Sequence, residues 1–363
     1  MPKNSPKLRC VLDLGVHLPP MYDRWDDAIS TFCREESFVF LSDRFGYLNR
    51  FSPVNAAAIS ENRFPLSNYT RKFSDIMRTR AVELSTHCKL NDKRCRVMWS
   101  GGCDSTAVLA ALIDVNDDLS FIDVMCTKTS LIENPDFYDF LVKKHIKIHI
   151  VSIKDIFRVA LNYAKSGDLV IYGFPADQLF GSVIGQTWEG DTTKEHFSCF
   201  LKADKAIQQY EEAFQHYNLP IKTIAEFLWF NNFALKWDYV CNWTVASEHA
   251  THDNIVSFFN TFDFECWSLS NFDVLHKYDQ KDVKNYKIEM KNFIYEVVAL
   301  DSVFALKKVP SIAYAEMSES PSAPMTAISA IDDTGEIHTV HIPKGNSHRV
   351  GLYAASLLRK FLK

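Results

Sequence analysis

No stretch of about 18 uncharged apolar residues occurs anywhere in the 363 residues, so the sequence predicts no membrane-spanning helix. Behind Met1-Pro2-Lys3-Asn4-Ser5 there is no apolar core of a signal peptide, and the expectation is a cytoplasmic chain. The nine cysteines include no Cys-x-x-Cys pair, which leaves zinc-ribbon and thioredoxin-like readings without support. Their odd number and irregular spacing fit reduced thiols better than a disulfide framework. An excess of positive charge is missing too. The net charge is −5, which gives no global electrostatic reason to bind nucleic acid. Repeats and low-complexity runs are absent.

What is present suits a globular protein with ample core, 47% hydrophobic and 23% charged. The length implies two domains, or one large domain with additions. Much of the aromatic content falls between Phe197 and Phe272, which points to a large buried helical region. The reading divides the chain into a small mixed, β-rich segment 1–68, a main domain 69–310, and a C-terminal hairpin and helix 311–363. In the first segment, Ser37–Leu41 and Tyr47–Phe51 flank Asp43-Arg44-Phe45-Gly46 as in a hairpin. In the last, Ala327–Ile342 forms a hairpin turned at Asp332-Asp333-Thr334-Gly335, and Val350–Leu362 an amphipathic helix.

Between these ends the pattern is regular. A helix over about Tyr69–His87 precedes a buried strand, Arg96–Trp99. Helix Thr106–Ile113, strand Leu119–Cys126, helix Phe137–His145 and strand Ile146–Ile153 follow. Helix Ile156–Lys165 and strand Leu169–Tyr172 complete the run. Strand alternating with helix predicts an α/β fold with a parallel sheet of about five strands and flanking helices. Ligands in such sheets sit beyond the carboxyl ends of the strands. The turns after Trp99 and Tyr172 both lie there, and both carry glycine.

The first turn reads Ser100-Gly101-Gly102-Cys103-Asp104-Ser105. A pyrophosphate tail needs many donors in a small volume, and a tight strand-to-helix turn supplies backbone N–H groups backed by the helix dipole. Gly101 and Gly102 let that backbone approach, and Ser100 and Ser105 add hydroxyls. Phosphate would repel Asp104 unless a divalent cation lay between them, so its natural role is to hold Mg2+. With no Gly-Lys-Ser/Thr, γ-phosphate transfer of the kinase type is disfavoured. The plain alternative is a glycine turn in which Ser100 or Asp104 caps the helix. At the helix N-terminus the Cys103 thiol pKa would tend to fall.

The second turn, Tyr172-Gly173-Phe174-Pro175-Ala176-Asp177-Gln178-Leu179-Phe180-Gly181, faces the same crevice. Together the two strings resemble the asparagine synthetase and β-lactam synthetase branch of the ATP-pyrophosphatase superfamily, over roughly residues 70–310. The resemblance implies an adenine nucleotide alpha hydrolase-like fold, ATP and Mg2+ as cofactors, and Asp177 as the second carboxylate on the metal. It places Gly173 among the nucleotide-binding residues, with the adenine near Met125–Thr127 and hence Cys126. Phe262-Asp263 is similar to the family's Phe-Leu-Asp string. Lys287, in Tyr286-Lys287-Ile288-Glu289-Met290-Lys291, and Lys307-Lys308 stand where the family has site lysines. Such a lysine would neutralise charge developing at the α-phosphate. For Asp177 the plain alternative is a cap on a helix starting at Gln178, and for the lysines a solvated helix face.

There are departures. Pro2 replaces the family's amidotransferase cysteine, and too few residues precede the main domain for a glutaminase, so none is expected. Phe174 stands where the family carries Glu or Tyr, and Gln178 replaces Glu. The expectation is an ATP-dependent C–N ligase that adenylates a carboxylate or amide oxygen, releases pyrophosphate, and passes the acyl group to an amine or ammonia. Its partners would be small carboxylate and amine substrates, with a separate ammonia or amine source. Membrane and nucleic acid are not expected, and the sequence leaves the oligomeric state open. The alternatives are an enzyme modifying RNA or a nucleobase, and a catalytically degenerate nucleotide-binding scaffold. Arg71, Lys72, Arg78, Arg80, Lys89, Lys93, Arg94 and Arg96 form the best nucleic-acid surface on offer. His249 and His252, three apart, make a weak metal pair. His145 and His149 read as ordinary edge residues.

Overall fold

The computed structural model describes residues 9–12, 69–181, 190–201, 204–216, 218–237, 252–275, 284–306, 326–331 and 337–342. The strands are β1 (Arg9–Leu12), β2 (Cys95–Trp99), β3 (Ile122–Cys126), β4 (Lys147–Ile150), β5 (Leu169–Tyr172), β6 (Ile255–Ser257), β7 (Thr326–Ile331) and β8 (Ile337–Ile342). The helices are α1 (Phe73–Leu90), α2 (Cys103–Asp114), α3 (Lys128–Glu133), α4 (Pro135–Lys143), α5 (Ile156–Lys165), α6 (Asp204–His216), α7 (Ile224–Phe230), α8 (Phe262–Ser270), α9 (Phe272–Leu275) and α10 (Ile288–Val298). Two compact units emerge. One joins Met1–Pro65, Thr187–Ser247 and Pro321–Lys363, and the other joins Leu66–Gln186 and Glu248–Ser320. The expected 37–51 hairpin, the 332–335 turn and the 350–362 helix lie outside the described residues.

The second unit is built on a five-stranded parallel sheet of order β4-β3-β2-β5-β6. The expected α/β fold is therefore what the chain adopts. Helices cover both faces, so its inner strands are mostly apolar, with Arg96 of β2 and Asp123 of β3 the charged exceptions. Alternate residues of β2 divide between those faces. Trp99 donates from Nε1 to Thr106 Oγ1 on α2 at 3.0 Å, and its ring lies 5.7 Å from that of Phe137 on α4. Met98 packs on the opposite face with Met125, Val170 and the small residues Ala160 and Ala164 of α5. Helix α2 is buried on all sides from Ser105 to Ile113, with α1 and α10 packed against it.

Beneath the α5 face lies a charge network. Asp123 on β3, with a fully buried side chain, takes ion pairs from Arg94 and Arg96, and His149 of β4 lies 3.1 Å from it. Arg96 also donates to Asp168 at 2.8 Å and stacks over Tyr163 at 4.0 Å. His149 is thus a network member as well as an edge residue. Other arginines of the basic stretch are paired too: Arg71 with Asp263, Arg78 with Asp114 and Glu296, and Arg80 with Glu83. Their charge is neutralised within the chain.

In the other unit β1, β7 and β8 form an antiparallel sheet, with Arg9 opposite Ile331 and Thr326 opposite Ile342. Its helical part is held by rings: Phe197 stacks on Phe227 at 5.4 Å, and Tyr210 meets Phe227 edge-on at 4.8 Å. A capping box of Thr223 and Glu226 starts α7. Among the described residues no helix is long and apolar enough to cross a membrane.

Candidate active site

The chain enters the sheet at β2, adds β3 and β4 on one side, then crosses back to add β5 and β6 on the other. The connections leaving β2 and β5 therefore diverge, and a crevice opens beyond their carboxyl ends. Ser100–Ser105 and Gly173–Gly181 are those two connections.

The first loop is shaped by close packing. Gly101 has φ +89°, and a Cβ there would stand 2.6 Å from Ser130 O and 2.9 Å from Glu133 Cβ. Only glycine satisfies both constraints. Across the loop Ser100 N donates to Ser105 Oγ at 3.1 Å, and the two hydroxyls lie 3.0 Å apart. Gly102 is the N-cap of α2 and no side chain caps it. The plain reading of Ser100 or Asp104 as a helix cap is thus not what the structure shows. Asp104 lies in the first turn, where the helix dipole favours its charge.

The second loop is locked to the first. A Cβ on Gly173 would stand 2.8 Å from Ser105 N and 3.0 Å from Asp104 C. Ser257, closing β6, donates to Phe174 O at 2.6 Å, and Ser268 of α8 donates to Leu179 O at 2.5 Å. Asp177 sits inside a short 3-10 turn, Ala176–Phe180, whose N-cap is Pro175. It is buried, and it does not cap a helix beginning at Gln178.

Lys287 reaches this crevice from the far end of the unit's sequence. It is the N-cap of α10, held at φ 59°, a left-handed conformation uncommon outside glycine. Its buried ammonium is ion-paired with Asp104. Burial opposes its charge, but Asp104, with Tyr286, Asp177 and Cys103, outweighs this and holds its pKa above the ordinary lysine range. Both site carboxylates therefore act on one ammonium. Lys291, one turn on and also buried, is close enough to favour the Cys103 thiolate. The i, i+4 spacing of the two lysines in the sequence is the signal for it.

The expected fall in the Cys103 pKa is reversed. Burial first, then the Asp104 carboxylate, push the thiol up to about 12, against Lys287 and Lys291. Cys126 ends β3 opposite Trp99, its carbonyl accepting from Val151 N at 2.8 Å, and burial raises its thiol to about 11. Lys307, Lys308 and His249 lie outside the described residues. His252 accepts through Nδ1 from Asn254 N at 3.1 Å. Asp263 is engaged by Arg71.

One site residue had no motif to announce it. Glu133 ends α3, a helix over residues to which the sequence analysis assigns no element, and its Oε1 lies 3.5 Å from where a Gly102 Cβ would be. Burial raises its carboxyl to about 7. Compared with known proteins, the chain matches no family model and no curated protein.

Proposed function

We propose that this chain is an ATP-dependent synthetase that adenylates a substrate carboxylate or amide oxygen and then yields the acyl group to an amine or ammonia. The observation that carries the reading is the junction of Asp104 with a buried lysine from 183 positions away, beside a loop that only glycine can form. A structural turn has no need of a buried ammonium aimed at its first helical turn.

Bound Mg-ATP would supply an electrophilic α-phosphorus and a pyrophosphate leaving group. The backbone N–H groups of Gly101–Ser105 and the α2 dipole suit the pyrophosphate oxygens. Asp104 and Asp177 fit Mg2+ by donor type, being hard oxygens. Two carboxylates with phosphate oxygens and water completing the shell is the pattern this ion favours. No group of three or more His, Cys, Asp or Glu side chains suited to a metal exists among the described residues, so a cage made wholly of protein is not on offer there. Lys287 would neutralise negative charge at the α-phosphate, and Lys291 adds to the positive field.

Pyrophosphate release from Mg-ATP, followed across a panel of carboxylates and amines, tests the reading. Asp104→Ala should lower the rate by about a hundredfold or more, the scale of losing one charge-stabilising group. Full turnover in that variant rules the proposal out. The Asp104–Lys287 pair also suits a scaffold that holds nucleotide with an internal cation and performs no chemistry. Calorimetric binding of ATP without pyrophosphate release on any substrate would favour it.

A further inference from the structure

Three acidic side chains border the crevice, and they differ in their surroundings. Asp104 has Lys287 beside it, and Asp177 shares that ammonium's field. Glu133 has neither. It enters from the opposite wall, where the last turn of α3 presses on Gly101, and its carboxyl lies alongside Gly102. Among the described residues no hydrogen bond or ion pair holds that carboxyl. The charged side chains on the neighbouring elements are Lys128 on α3, Asp136, Asp139 and Lys143 on α4, and Asp104 and Asp114 on α2; the upward shift of the Glu133 carboxyl comes from burial and from none of these.

A phosphate seated over the two glycines would meet this carboxyl at close range. An ionised Glu133 would repel it. A neutral one has an O–H to give. We propose that Glu133 is a ligand-contacting residue of this site that works as a neutral acid, donating its carboxyl hydrogen to a phosphoryl oxygen held over Gly101 and Gly102. The inference rests on the reading of the loop as a phosphate site.

The carboxyl, raised by burial to about 7, needs little to become fully protonated. An arriving polyphosphate raises it further, since a like charge disfavours the ionised form. Binding at alkaline pH must then take up a proton, and affinity must fall as pH climbs past the value of the free site. Below that value the proton is already in place and affinity is level.

The experiment is calorimetric titration with Mg-ATP, whose charge is constant from about pH 6 to about pH 8.5, on the wild type, Glu133→Gln and Glu133→Ala. Wild-type affinity should weaken by up to about tenfold per pH unit above the free-site pKa, with a proton taken up on binding. Glu133→Gln keeps a donor and cannot ionise, so it should bind across the range as the wild type does at the acid end, with no such proton uptake. Glu133→Ala should bind more weakly than Glu133→Gln at every pH. A Glu133→Gln profile that still follows the wild type overturns the inference alone. So does a Glu133→Gln affinity as low as that of Glu133→Ala, which would make the carboxylate a metal ligand. Absence of wild-type binding at any pH removes the phosphate-site reading, and the inference with it.

Discussion

Gly173 shows how tightly single atoms define the crevice. The nearest atoms to a Cβ at this position are backbone, Ser105 N at 2.8 Å and Asp104 C at 3.0 Å. Backbone cannot swing aside as a side-chain end can, so Gly173→Ala must push β5's exit and α2's first turn apart. We expect a loss of about 1–3 kcal/mol, the range for overpacking, read as a lowered urea midpoint with unchanged slope. Nucleotide affinity should suffer as well, because the displaced atoms are those of the loop. Residue chemistry was unevenly legible in the sequence. The glycines, serines and aspartates of the two loops stand in recognisable strings, and the structure brings Asp104, Asp177 and Lys287 into one electrostatic neighbourhood. Glu133 could not be found that way, because its relation to Gly102 is set by how a six-residue helix packs. Cys103 illustrates a competing effect: the helix N-terminus favours its thiolate, but burial and Asp104 win.

Among the elements, α2 is the one on which the site depends most. It is buried from Ser105 to Ile113, so its position is fixed by packing on every side. Leu109, wholly inaccessible to solvent, faces that packing. Leu109→Ala should cost about 2–5 kcal/mol by chemical denaturation, the usual range for a buried leucine. A cost under about 1 kcal/mol would show the helix to be loosely held. The elements of the sheet were readable where apolar runs were long enough to stand out: β2 and β5 fall within one residue of their expected starts, and α5 matches at both ends. Shorter ones were not. β6 has only Ile255-Val256-Ser257, too brief for a period to show. α3 lies just ahead of α4, separated by the single cap Asn134, and its six residues are too few to show a helical period. β1 pairs with β7 across more than 300 residues, a register that no local pattern encodes.

For the molecule as a whole, the network around Asp123 couples three adjacent strands to the turn before a fourth. Burial works to raise the Asp123 pKa, but Arg94, His149 and Arg96 overcome it and hold the carboxyl below its ordinary value. The stabilisation is therefore complete above about pH 4 and is lost as pH falls through the lower folded value. Asp123→Asn removes this contribution, so the variant should be less stable at neutral pH, and its urea midpoint should change less than the wild type's from about pH 4 downward. Equal slopes of stability against pH in the two proteins would refute it. The site has a similar long reach, because Asp104 and its counter-charge Lys287 are 183 residues apart. At the ribosome's pace of about 5–20 residues per second, that separation amounts to roughly 10–40 s. Throughout that interval the loop, its first helix and its carboxylate can exist without the lysine that later closes them. A nascent chain stalled before residue 287 would present Asp104 without Lys287, the last made of the charged groups placed in this crevice.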